Sequence, residues 1–88
     1  MVQLQVYVQP HCPQCTRARR LAQWAGARFP DVQIQIVEMA EPSAPIPEFL
    51  IGVPTYVLAG QVISLGNPTE ATLGEQIERA VARERRTD

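Results

Sequence analysis

Apolar and polar residues alternate along the start of the chain, with Val2, Leu4, Val6 and Val8 set against Gln3, Gln5 and Tyr7. A period of two with one apolar face predicts a half-buried β-strand, and Pro10 closes it. From Pro13 the period lengthens: Cys15, Ala18, Leu21, Ala22, Ala25 and Phe29 fall on one helical stripe, while Arg17, Arg19, Arg20 and Arg28 point elsewhere. The spacing predicts a helix from Pro13 to Arg28. Phe29-Pro30 ends it, because the residue before a proline is pushed out of helical geometry. Residues 31 to 37 return to period two, with Val32, Ile34 and Ile36 against Gln33 and Gln35. Strand, helix and strand in this order form a βαβ unit, whose strands lie parallel through a right-handed crossover.

The pattern then breaks. Pro42, Pro45 and Pro47 interrupt the stretch from Met39 to Leu50, so no regular helix can cross it beyond one turn starting near Pro47. After it, Tyr56 to Ala59 and Gln61 to Leu65 flank Gly60 as an antiparallel hairpin. Asn67, Pro68 and Glu70 then stand at the N-cap, N1 and N3 positions of a last helix, a capping-box arrangement. Its docking face is Leu73, Ile77, Ala80 and Val81, and Arg83 to Asp88 are expected to fray. Arg20 and Trp24, one turn apart, are spaced to stack as a cation–π pair.

At 88 residues and 45% hydrophobic content, the chain suits one modest core, and a single domain over residues 1–88 is predicted. A net charge of −1 argues against binding nucleic acid or an anionic membrane through bulk charge. The basic residues, all arginine, read as solvated helix faces. No apolar run reaches the ~18 residues of a membrane span. The opening Met1-Val2-Gln3-Leu4 lacks the basic, then apolar, then small-residue order of a secretion signal. The expected location is cytoplasmic, where paired cysteines serve catalysis or metal binding more often than structure.

Those cysteines are Cys12 and Cys15, and the one histidine, His11, precedes them. A C-x-x-C between a strand and a helix reads as a redox site. With Cys12 at the N-cap and Pro13 at N1, the first sulfur faces unpaired backbone N–H groups and the positive end of the helix dipole. Both favour a thiolate, lowering the pKa from about 8.5 toward about 7. Cys12 is therefore the candidate nucleophile. Cys15, on the buried stripe, is the candidate resolving thiol that attacks the mixed disulfide from inside. His11 admits two readings: a protonated ring that favours the thiolate, with a pH response near ~6.5, or an exposed loop residue. A different chemistry is open to the same residues. His11, Cys12 and Cys15 form a partial ligand set for copper(I) or zinc, although a closed zinc site needs four ligands.

The order strand, Cys12-Pro13-Gln14-Cys15, helix, strand, irregular link, Gly52-Val53-Pro54-Thr55, hairpin, helix resembles the thioredoxin and glutaredoxin superfamily over nearly the whole chain. The resemblance implies an α/β thioredoxin-like fold: a four-stranded mixed sheet, βαβ then ββα, with the usual middle helix shortened or missing where the prolines fall. It implies a thiol–disulfide oxidoreductase that reduces protein or small-molecule disulfides through a Cys12/Cys15 cycle. No cofactor is implied beyond that redox-active disulfide, and the implied partners are a disulfide substrate and a thiol reductant or reductase. The resemblance further implies a cis bond before Pro54, opposite the sulfurs, with His11, Pro13, Gln14, Val53, Pro54 and Gly66 around the substrate. A trans proline opening an edge strand is the other reading of Pro54, and Gly66 reads either as a point of close substrate approach or as a turn.

The chain also departs from its likenesses. Thioredoxin's W-C-G-P-C and the acid buried behind it are missing. So are the glutaredoxin aromatic, here Gln14, and the glycine-aspartate that grips glutathione, here Gly66-Asn67. One expectation comes from the strands alone. Gln3, Gln5, Gln33 and Gln35 line a sheet face on the side of the proline-broken segment, and this face, with Tyr7 and Tyr56, is expected to be wet or to contact a protein partner.

Overall fold

The computed structural model describes residues 1–39 and 52–87. The elements are β1 (Gln3–Val8), α1 (Pro13–Arg28), β2 (Gln33–Glu38), β3 (Thr55–Leu58), β4 (Gln61–Leu65) and α2 (Glu70–Thr87). The sheet has the order β2-β1-β3-β4. β1 runs parallel to β2, from Gln3 opposite Gln33 to Val8 opposite Glu38, and antiparallel to β3, which is antiparallel to β4. The expected mixed sheet of βαβ and ββα halves is therefore present. β3 and β4 are joined by Ala59 (φ 51°) and Gly60 (φ 82°), the paired left-handed residues that match a two-residue turn to the twist of a hairpin. The proline-rich stretch, and with it the expected shortening of a middle helix, falls at 40–51, outside the described residues.

Alternation in β1 sends Leu4, Val6 and Val8 to the helical side, all fully buried. They meet Tyr56 and Leu58 of β3, the α1 stripe of Cys15, Ala18, Leu21, Ala22 and Ala25, and Leu73 and Ile77 of α2. At ~1.5–3 kcal/mol for each large aliphatic side chain removed from water, this seam between two helices and one sheet face is the main source of stability. Gly74 lies where the helices touch, and a Cβ there would stand 3.4 Å from Trp24 Cη2.

Trp24 thus belongs to the helix seam, and this overturns the expected pairing with Arg20. Its ring meets Phe29 edge-on, at 6.2 Å and 84°, and the cation over Phe29 is Arg28, at 5.2 Å.

Cross-strand register also corrects the membership of the glutamine face. Tyr7 pairs with Thr55 and shares that face, whereas Tyr56 pairs with Val6 and points to the helices. On the glutamine face, Gln35 Oε1 accepts from Gln3 Nε2 at 3.0 Å and from Gln5 Nε2 at 3.3 Å.

α2 begins later than expected, at Glu70, and its cap is Thr69 rather than Asn67. Thr69 Oγ1 accepts the Thr72 N–H at 3.1 Å. Asn67 is not free to cap because its amide is engaged by Tyr56 and Gln14. At the other end the helix continues to Thr87 instead of fraying from Arg83, and Glu84 pairs with the Met1 ammonium at 2.6 Å. Thr69→Ala removes one cap acceptor and is expected to lower the unfolding free energy by about 1 kcal/mol, read as a shift in the urea midpoint at constant slope.

Candidate active site

Sheet register alone brings three loops together. β1 is central and ends at Val8; β3 starts beside that end, since Thr55 pairs with Tyr7; β4 finishes there too, since Leu65 pairs with Thr55. The segments flanking these ends are Gln9 to Cys12, Val53-Pro54 and Gly66-Asn67, so they share one edge of the sheet. A backbone hydrogen bond from the Gly66 N–H to the Pro54 carbonyl, 2.8 Å, ties two of them.

Cys12 is the N-cap of α1, with extended backbone angles (φ −119°, ψ 110°) and Pro13 at the first helical position. Its Sγ accepts the Cys15 N–H at 3.1 Å, and its carbonyl accepts from Cys15 N and Thr16 N at 3.1 and 3.2 Å. No acidic residue occupies the first turn to offset the positive end of the helix. Cys15 follows one turn on, is fully buried, and receives the Gln9 N–H on its Sγ at 3.4 Å. The two sulfurs form a disulfide across a Cα–Cα distance of 5.1 Å. Cys12 is half-buried while Cys15 is enclosed, so only one sulfur borders solvent.

A groove of about 510 Å³ runs beside this disulfide, lined by Pro13, Gln14, Arg17, Val53, Pro54 and Gly66 among others. The Val53–Pro54 peptide is cis, Pro54 is buried and Val53 half-buried at the groove wall. Gly66 has φ +99°, which an L side chain rarely adopts, and nothing lies within 4 Å of where its Cβ would be. A turn requirement and open space beside it thus coincide at one residue.

The chain is 30% identical over 80 residues to a thioredoxin of Methanocaldococcus jannaschii, a match spanning 89% of this chain and 94% of that protein. The chain belongs to the thioredoxin family. Among solved structures it resembles the reduced periplasmic thioredoxin SoxS from Paracoccus pantotrophus, with a TM-score of 0.66, 21% identity, and coverage of 96% of this chain and 99% of that one. It also resembles the thioredoxin-like superfamily protein SPOA0173, with a TM-score of 0.67, 19% identity, and coverage of 90% and 79%. These two likenesses concern the fold. No protein-family model matches the chain. A thioredoxin-family chain with a C-x-x-C disulfide is a thiol–disulfide oxidoreductase, and that is the activity of this one.

His11 lies on the approach turn of this thioredoxin-family site, exposed and in a left-handed conformation (φ 57°). Among the described residues no three His, Cys, Asp or Glu side chains are grouped to hold an ion. The expected soft-metal alternative finds no support.

Two residues of the site escaped the reading of the sequence. Tyr56, fully buried, donates its hydroxyl to Asn67 Oδ1 at 2.7 Å, and Asn67 Nδ2 donates to the Gln14 carbonyl at 2.8 Å. The amide orientation is dictated at the Gln14 end, since a carbonyl can only accept and this places nitrogen on that side and oxygen toward the Tyr56 hydroxyl. Burial pushes the Tyr56 phenol well above its usual range, opposed by the nearby positive charge of Arg17, so the hydroxyl stays a donor at physiological pH. The pair thus clips the loop after β4 onto the C-x-x-C turn. A tyrosine at an inward strand position needs a partner for its hydroxyl, and that was the available signal. Asn67→Ala strands the Tyr56 hydroxyl in the core and should cost about 1–3 kcal/mol. The double variant Tyr56→Phe, Asn67→Ala should lose less than the sum of the singles, a coupling that a double-mutant cycle in urea will measure.

Proposed function

We propose that Cys12 is the attacking thiol and Cys15 the resolving thiol of a disulfide-reducing cycle run in the groove beside Pro54. The observation that carries this assignment is the asymmetry of the pair: Cys12, half-buried, caps α1 next to Pro13 and Gln14 of the groove lining, and Cys15 is enclosed one turn behind it. In the reduced protein the Cys12 thiolate attacks one sulfur of a substrate disulfide. An S–S bond forms between protein and substrate, the substrate's own S–S bond breaks, and its other sulfur leaves as a thiolate. Cys15, having lost its proton to solvent, then attacks Cys12 Sγ and displaces the second substrate thiolate. Two electrons have passed from protein to substrate, each released thiolate takes up a proton, and Cys12–Cys15 is oxidised. An external dithiol, or a reductase that supplies one, returns the pair to its reduced state.

Each surrounding residue has a stated part in this reading. The Cys15 N–H and the positive end of the helix stabilise charge on Cys12 Sγ. The Gln9 N–H, 3.4 Å from Cys15 Sγ, does the same for the buried sulfur. Pro13, Gln14, Val53, Pro54 and Gly66 contact the substrate around the reacting sulfurs, and His11 flanks its approach. Residues 1–88 act as one thioredoxin-like unit on protein disulfides. With no cysteine outside the motif, the chain carries no structural disulfide, which suits work as a reductant in the cytoplasm.

Cys12→Ser should abolish reduction of insulin disulfides with dithiothreitol as donor, whereas Cys15→Ser should retain the first step and accumulate a mixed disulfide, detected by mass. Equal losses with no trapped adduct would contradict the assigned order of attack.

A further inference from the structure

We infer that the groove beside the disulfide selects protein disulfides set in acidic segments, with Arg17 and Arg20 reading the charge. The inference rests on the disulfide-reducing reading above and adds to it a class of substrate.

α1 carries Arg17, Arg19, Arg20 and Arg28 and no acidic residue. The four are not equivalent. Arg19 is committed to Glu38, donating through Nε and Nη2 at 2.9–3.2 Å. Arg28 lies over the Phe29 ring at the far end of the helix. Arg17 and Arg20, three residues apart and so on adjoining turns of one face, are exposed, and neither takes part in the ion pairs found among the described residues.

Both border a second groove of about 510 Å³, with Pro13, Thr69 and Glu70. Pro13, Arg17 and Thr69 also line the groove that passes Val53, Pro54 and Gly66. The two hollows therefore adjoin along one wall and lead from Pro13 and Gln14, between the two cysteines, down the flank of α1. Among the described residues Glu70 is the sole carboxylate on either lining, beside two arginines, so the lining they form has an excess of positive charge although the whole chain has a net charge of −1. The attraction is local to the site, and bulk charge would not supply it.

An extended segment crossing Pro54 would carry its flanking side chains past Arg17 and then Arg20. Aspartate or glutamate at those flanks would be drawn in, and lysine would be repelled. The occupant is a protein segment rather than a small zwitterionic disulfide. Asn67, a polar residue of the lining, has its amide oxygen and nitrogen engaged by Tyr56 and Gln14, and the two arginines extend the charge along the helix beyond the reacting sulfurs.

The test uses the full chain, reduced beforehand, and peptides that share one central disulfide and differ in flanking Glu, Gln or Lys, with glutathione disulfide alongside. Second-order rate constants are expected to fall in the order Glu, Gln, Lys, with about tenfold between the extremes at low salt. The gap should narrow toward ~0.5 M salt, where exposed charges are screened within a few ångströms. Arg17→Glu with Arg20→Glu should reverse the order, and Arg28→Glu, the same substitution at one site outside the groove, should preserve it. Equal rates for Glu and Lys flanks, or an order that survives the charge reversal, would overturn the charge selection alone. So would glutathione disulfide reacting fastest in a manner lost on charge reversal, which would make the arginines a small-molecule site. Failure of the wild-type chain to reduce any of these disulfides would overturn the oxidoreductase cycle and this inference with it.

Discussion

The first turn of an α-helix has backbone N–H groups with no partner inside the helix, and the chemistry of this protein depends on what is placed against them. Here it is sulfur. Cys12 occupies the cap, where serine, threonine or aspartate would ordinarily accept the free N–H of the first turn, and its Sγ accepts from Cys15 N at 3.1 Å. A thiolate accepts such a bond better than a thiol, so the cap interaction that starts the helix also favours the reactive form of the residue. Pro13, lacking an N–H, leaves the remaining donors of the turn to that sulfur and to the Cys12 carbonyl.

A reactive thiol is useful only if a substrate can be held next to it, and that depends on strand order. Because β1 is central and β3 runs antiparallel beside it, the entry to β3 and the exit of β4 meet the exit of β1. The groove wall at Pro54 and Gly66 follows from this register. The Tyr56–Asn67–Gln14 chain of hydrogen bonds then fixes the distance between the wall and the redox turn. Core and site are joined here, since the residue that anchors the clip is also one of the largest fully buried side chains.

Elements governed by local periodicity and punctuation were legible in the sequence. The boundaries of α1 follow from Pro13 and Phe29-Pro30, and the sheet follows from two stretches of alternation and a hairpin around a glycine turn. The buried stripe that hides Cys15 is visible in the spacing of small residues alone. What escaped depends on contacts between residues distant in the chain. Asn67 has the composition of a helix cap, and only the tertiary arrival of the Tyr56 hydroxyl and the Gln14 carbonyl takes it out of that role and passes the cap to Thr69. Trp24 is one turn from Arg20, yet packing of α2 through Gly74 claims its ring. Tyr56 belongs to the helical side through its register with Val6, which nothing in its local sequence specifies. The arginines of α1 differ only through their surroundings: Glu38 neutralises one, and a groove borders two others.

The account stands on the reactivity of one sulfur. Its direct test is the pH dependence of alkylation of the reduced chain by iodoacetamide, with the modified cysteine identified by mass. Cys12 should react first, with a midpoint well below the ~8.5 of a free cysteine, while Cys15 stays unmodified until the chain is unfolded. A midpoint at or above that value for Cys12, or prior modification of Cys15 in the folded chain, would contradict it.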